Sequence, residues 1–140
     1  MDRPRLRAMA KRRFQHKLRS WGIYDRFERG QIPRIREFTD TIPAAVGTEF
    51  GYVLHITGGK GSMLDFRIEH PPFRDSDGKV MKPFVGQQPI TSNEFDFFLG
   101  DVIWEPWHDK VGPWILHTWH DGQLLERKAL LMVAPEDDGI

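Results

Sequence analysis

GPWILHTWHDGQLLERKALLMVA, residues 112–134, reads as two strands joined at Asp121-Gly122. Asp-Gly between two apolar-rich runs is a strong hairpin signal, because a type I′ turn needs positive φ at both central residues. With the turn placed there, Trp119 faces Leu124, Thr118 faces Leu125 and His117 faces Glu126. Alternation then assigns two faces. One carries Trp114, Leu116, Thr118, Leu125, Ala129, Leu131 and Val133 and is the expected core face. Arg127 falls on that face and must either snorkel or mark a bulge. The other carries Ile115, His117, Trp119, Leu124, Glu126, Lys128, Leu130 and Met132. This second face is mixed but too apolar to lie wholly in water. Trp119, Leu124, Leu130 and Met132 are therefore expected to form a homodimer contact or a second packing layer. An isolated hairpin is marginal in water, so other strands must cover it.

Working outward, the rest of the chain supplies those strands. Phe50–Thr57 is rich in β-formers and reads as a largely buried strand. Met63–His70 places Leu64, Phe66 and Ile68 inward and Asp65, Arg67 and Glu69 outward, and the Gly58–Gly61 turn suggests that the two strands form a second hairpin. Proline at 71 and 72 stops the run, because proline cannot donate to a ladder. Gln88–Asn93 suits an edge strand, since Pro89 is tolerated there, and Phe95–Trp104 suits a strand with a bulge at Gly100-Asp101. Trp21, Ile23, Asp25 and Phe27 alternate over Ser20–Glu28 as a first strand, and Ile35–Thr41 is a short extended piece. About seven short strands punctuated by turns argue for an all-β fold, an antiparallel β-sandwich of immunoglobulin-like type.

The chain of 140 residues holds no cysteine, which excludes disulfides and thiolate chemistry and fits a reducing compartment. No apolar run reaches the length of a membrane span, and no apolar h-region follows the charged start, so a cytoplasmic location is expected. The net charge of zero conceals an asymmetry. Residues 1–20 hold eight Lys or Arg against Asp2 alone, net +7, while the other 120 hold 12 basic and 19 acidic residues, net −7. Residues 1–19 read as a basic arm carrying Arg3, Arg5, Arg7, Lys11, Arg12, Arg13, Lys17 and Arg19, ahead of a sandwich over 20–134 and an acidic tail over 135–140. Ala10, Phe14, Leu18 and Trp21 sit at helical spacing, which permits a short basic helix. Such an arm either folds back on the acidic body or contacts nucleic acid or an anionic surface.

IPAAVGTEFGYVLHITG (42–58), HPPF (70–73), DGKVMKPF (77–84) and WEPWHDKVGPWILHTWHDGQLLERKALLMVA (104–134) together resemble an uncharacterised bacterial family, the domain of unknown function numbered three-eight-five-nine. The resemblance covers about residues 20–134. It implies a compact domain and carries no activity, cofactor or catalytic residue to any position here.

No residue pattern marks a catalytic centre. There is no Gly-Xaa-Ser-Xaa-Gly elbow, and Gly58–Gly61 lacks the Lys-Ser/Thr pair of a phosphate loop. Six histidines are present, at 16, 55, 70, 108, 117 and 120, but a metal site needs three or four converging ligands. A metal-dependent hydrolase would have to unite His108, Asp109 and His120, with Asp121 nearby, at one end of the sandwich. His117 opposite Glu126 is a natural cross-strand pair. Four tryptophans fall between Trp104 and Trp119, and Trp107 and Trp119 are the candidates for an exposed aromatic patch. The binding candidates are thus Trp107, His108, Trp119 and His120. The expected function is non-enzymatic, with no cofactor and no metal: an interaction domain for a protein partner or a second copy of itself.

Overall fold

A computed structural model describes residues 13–26 and 31–136. Nine strands form two facing sheets. In chain order they are β1 (Gln15–Tyr24), β2 (Ile35–Phe38), β3 (Thr41–Pro43), β4 (Glu49–Thr57), β5 (Met63–Glu69), β6 (Phe84–Pro89), β7 (Glu94–Val102), β8 (Gly112–His120) and β9 (Gln123–Val133). One sheet has the order β2-β1-β4-β7 and the other β3-β9-β8-β5-β6. All pairs are antiparallel except β3 with β9, which run parallel. The fold is the expected immunoglobulin-like sandwich.

β4 is the central strand of its sheet and reads as a continuous apolar run because both its faces are covered. Phe50, Tyr52, Leu54 and Ile56 point into the core. On the opposite face Val53 is buried beside Tyr24, whose ring meets Phe98 edge-on at 5.0 Å and whose hydroxyl shares a 2.7 Å hydrogen bond with Ser20. The two sheets are also joined by a polar contact in the interior. The Tyr52 hydroxyl and Thr118 Oγ1 are 2.5 Å apart, so both buried hydroxyls are satisfied.

The β8–β9 hairpin has its turn where Asp-Gly predicts it, with φ of 49° at Asp121 and 77° at Gly122. The register departs from expectation one step further on. Trp119 pairs with Leu124, but Thr118 pairs with Glu126, leaving Leu125 as an extra residue in β9. A bulge of this kind shifts the alternation of everything beyond it. Leu130 and Met132 are consequently fully buried in the core, and Leu131 is exposed. The expected dimer face therefore loses Leu130 and Met132, which the chain's own core covers. Arg127 lies outside the core, so its place in the pattern marks the bulge. His117 faces Arg127 across the hairpin rather than Glu126.

Three other expectations are corrected. β4 and β5 do not pair; the Gly58–Ser62 connection carries the chain from one sheet to the other, so their apolar sides face each other across the core. No bulge interrupts β7 at Gly100-Asp101, because all nine residues keep one register against β4. Gln15–Arg19 are strand and not the short helix that the apolar stripe permits. The remainder of that stripe's segment, residues 1–12, lies outside the described residues, as do residues 137–140 of the acidic tail.

Candidate functional site

The outer face of the five-stranded sheet is organised by β8. Ile115, His117 and Trp119 project from it in a row. Register places Ile115 between Glu69 and Ala129, His117 between Arg67 and Arg127, and Trp119 between Asp65 and Leu124. Beyond Arg67 lies Val85, which is 72% exposed, and beyond Asp65 lies Gln87. The result is an aromatic centre fringed by charges of both signs. A shallow groove of about 390 Å³ runs along it, lined by Asp65, Phe66, Arg67, Val85, Gly86, Gln87 and Trp119.

His117 gives this face its polar character. Its ring stacks on Trp119 with centroids 5.2 Å apart and planes 7° apart. Its Nδ1 is buried with no hydrogen-bond partner among the described residues; the Glu69 carboxylate is 4.0 Å away. Burial lowers its pKa below 6.5, partly opposed by Glu69 and reinforced by Arg127 and Arg67. The stacked imidazole and indole together form a flat, mostly apolar seat for a docked group.

The four residues singled out from sequence do not come together. Trp107 and His108 precede β8, with His108 in a 3₁₀ turn, His108–Lys110, whereas Trp119 and His120 end β8. Seven strand residues, 112–118, separate the two pairs, about 23 Å at the usual rise. Trp119 lies on the outer face. His120 turns the other way, bonding Ser62 Oγ through Nε2 at 2.9 Å and stacking on Phe14 at 3.9 Å. Asp109 holds Lys110 Nζ at 2.9 Å. The site required of a metal-dependent hydrolase is therefore not assembled, and no group of three or more metal-ligating side chains occurs among the described residues. Of the basic residues, Arg13, Lys17 and Arg19 are described, and Arg19 forms a two-pronged ion pair with Asp96. Arg3, Arg5, Arg7, Lys11 and Arg12 lie outside the described residues.

The Trp104–Trp114 end is a filled core rather than a pocket. Trp114 is completely buried and donates its Nε1 proton to the Lys110 carbonyl at 2.8 Å. Lys110 is itself buried, with Nζ 2.7 Å from the Pro106 carbonyl and 4.5 Å from the Trp104 ring centre. A buried ammonium of this kind needs both its carboxylate and its aromatic neighbours.

Sequence reasoning missed one cluster on the other sheet. His55 of β4 donates through Nδ1 to Asp96 at 2.7 Å and through Nε2 to Glu94 at 2.9 Å, both on β7. The signal was Glu94 and Asp96 two apart on a strand, but reading it required the β4–β7 register. With both nitrogens engaged the imidazolium is saturated, which suits a structural tie and not a general base. The Asp96 hydrogen bond raises the His55 pKa above 6.5, burial opposes it, and Glu94 adds to it. A raised folded-state pKa gives stability that is complete below the unfolded value and fades as pH rises through the folded one. His55→Gln should therefore cost more stability at about pH 5 than at about pH 9, by urea midpoints. His117 is expected to titrate below His55 in ring-proton NMR. Equal losses at both pH values would show that the tie is not charge-assisted.

A family model described as "Domain of unknown function (DUF3859)" matches residues 12–130. The chain is also similar to the crystal structure of an immunoglobulin-like protein from Pseudomonas aeruginosa, at 20% identity over 89% of this chain and 99% of that one, with a TM-score of 0.74. No curated protein matches.

Proposed function

The chain belongs to the family described as Domain of unknown function (DUF3859), and on that footing we propose that it is a non-enzymatic binding domain for a protein partner, with the Trp119 face as its contact surface. The observation that carries this reading is the Trp119–His117 stack on the outer face of a sheet, with exposed Val85, Met63 and Leu124 around it. Interface hot spots are enriched in tryptophan set among near-neutral contacts, and a sheet holds such an anchor without an ordering cost. The mixture of Arg67, Arg127, Asp65 and Glu69 at the rim would set orientation more than affinity.

The partner is another protein or a second copy of the chain, and one variant tests both. Trp119→Asp should leave far-UV circular dichroism unchanged and weaken association by roughly 2 kcal/mol, the loss typical of a hot-spot anchor. Sedimentation equilibrium of the full chain reads self-association. Photo-leucine at position 124 reads capture of other proteins. A monomer whose capture pattern is identical with and without Trp119 would overturn the reading.

A further inference from the structure

We propose a second docking site at the free edge of β7, for an extended peptide that carries Lys or Arg at alternate positions and adds to the four-stranded sheet as a fifth strand. Among the described residues β7 is paired on one side only, by β4. Its backbone polarity follows from the contacts at both ends. Ile103 N–H bonds the Thr48 carbonyl and the Asn93 carbonyl accepts from Gly58 N–H, so odd-numbered residues point at β4. Alternation in an antiparallel pair then turns the even-numbered residues outward. Two local bonds agree: Val102 N–H is taken by Asp101 Oδ1, and the Glu94 carbonyl accepts from Ser92 Oγ. Among the described residues, Asp96, Phe98 and Gly100 are left presenting N–H and C=O groups to a newcomer.

Open edges are usually blunted by short length, proline, lysine or a bulge. β2 has four residues, β3 three, and β6 ends in Pro89. β7 has nine residues, EFDFFLGDV, with no proline, no lysine and no bulge. Its own side chains carry charge of one sign only, Glu94 and Asp96 on one face and Asp101 on the other, which disfavours an acidic newcomer over a basic one. Beside the edge lies a groove of about 620 Å³, lined by Phe95, Phe97, Phe98, Ile32 and Gln88 together with Glu49, Asp96 and Asp101, and among the described residues by no Lys or Arg. The lining therefore offers apolar seats between carboxylates. Asp96 is already engaged by Arg19 and His55, so Asp101 is the carboxylate best placed to gain from an added cation. Burial raises the pKa of Asp101, opposed by the Val102 N–H and by His70, so a cation docked beside it would favour its charged form. A second copy of the chain is a poor occupant, because β7 against β7 would double the carboxylates along one seam. Main-chain bonds would supply affinity and the alternate side chains selectivity, as in other strand additions.

The test uses the full chain and a nine-residue peptide alternating Arg and Val, matched to the nine residues of β7. Amide exchange by NMR should slow by roughly tenfold at Asp96, Phe98 and Gly100 when the peptide is added, while Phe97, Leu99 and Asp101, bonded to β4, stay protected throughout. Asp101→Asn, which keeps the oxygen that caps Val102, should weaken binding by roughly threefold to tenfold and reduce its salt dependence. A peptide alternating Glu and Val, and the Arg-Val peptide with alternate backbone nitrogens methylated, should not bind. Binding without protection of the three outward amides, or equal binding of either control peptide, overturns the proposal. Protection that develops on concentrating the protein alone assigns the edge to a second copy and overturns it equally.

Discussion

Gly51→Ala is expected to destabilise the domain by about 3 kcal/mol or more. Gly51 has φ of +152°, and a Cβ built there would sit 2.1 Å from the Leu99 carbonyl oxygen and 2.6 Å from Gly100 Cα. Both obstacles are backbone of the neighbouring strand, so relief requires β4 and β7 to separate. The position belongs to a line of glycines across three strands, Gly22 paired with Gly51 and Gly51 with Gly100. Added Cβ atoms at Gly22 and Gly100 would meet the Glu37 and Phe50 carbonyl oxygens at 2.2 and 2.0 Å. Gly61→Ala separates the two causes. Its φ is +91° but nothing lies within 4 Å, so it should lose only the conformational share, about 1–2 kcal/mol. Urea unfolding of the two variants measures the difference. Equal losses would mean that close strand approach contributes nothing at Gly51. The line also matters for binding, since β7, with the edge proposed to receive a peptide, is held by its register against β4.

The sandwich was legible in the sequence because the signals that specify it are local. Asp121-Gly122 fixes its turn by φ alone, and Leu64, Phe66 and Ile68 alternate cleanly on β5. What was not legible depends on pairing between distant segments. The bulge at Leu125 has no sequence mark beyond an arginine on the wrong face, yet it exchanges Leu131 for Leu130 and Met132 in the core. The glycines at 58, 59 and 61 look like a hairpin turn, and a flexible link serves equally well to cross between sheets. Of the candidate site, the Trp119 row was readable from alternation along β8. Its company was not, because Asp65 reaches it through β5–β8 pairing and Val85 through β5–β6 pairing. Trp107, His108, Trp119 and His120 are close in sequence and far apart in space for the same reason that makes β8 a strand: seven extended residues, 112–118, lie between the two pairs. His55 with Asp96 and Glu94 stayed hidden until β7 was set beside β4.

Trp114→Ala should remove about 3–5 kcal/mol, a large share of the stability typical of a domain this size. The indole is fully buried, meets Phe50 at 5.1 Å and Trp104 at 6.5 Å edge-on, and stacks on Phe73 at 6.0 Å. Phe73 and Trp104 in turn hold Lys110 Nζ, at 4.8 and 4.5 Å from their ring centres. Deleting the indole therefore leaves a cavity and loosens the rings that make a buried ammonium tolerable. It also strips the Lys110 carbonyl of its 2.8 Å donor. Trp114→Phe keeps most of the ring packing and loses the donor, so its cost should be nearer the 1–3 kcal/mol of an unsatisfied buried carbonyl. A double-mutant cycle with Lys110→Met reads the link: if the aromatic cage sustains the ammonium, the two losses are less than additive. Because Trp114 sits at the opposite end of β8 from Trp119, Trp114→Phe should lower the unfolding midpoint while leaving Trp119-dependent association intact. A Trp114→Ala loss under about 1 kcal/mol would mean that this end of the sandwich is held by something other than its aromatic core.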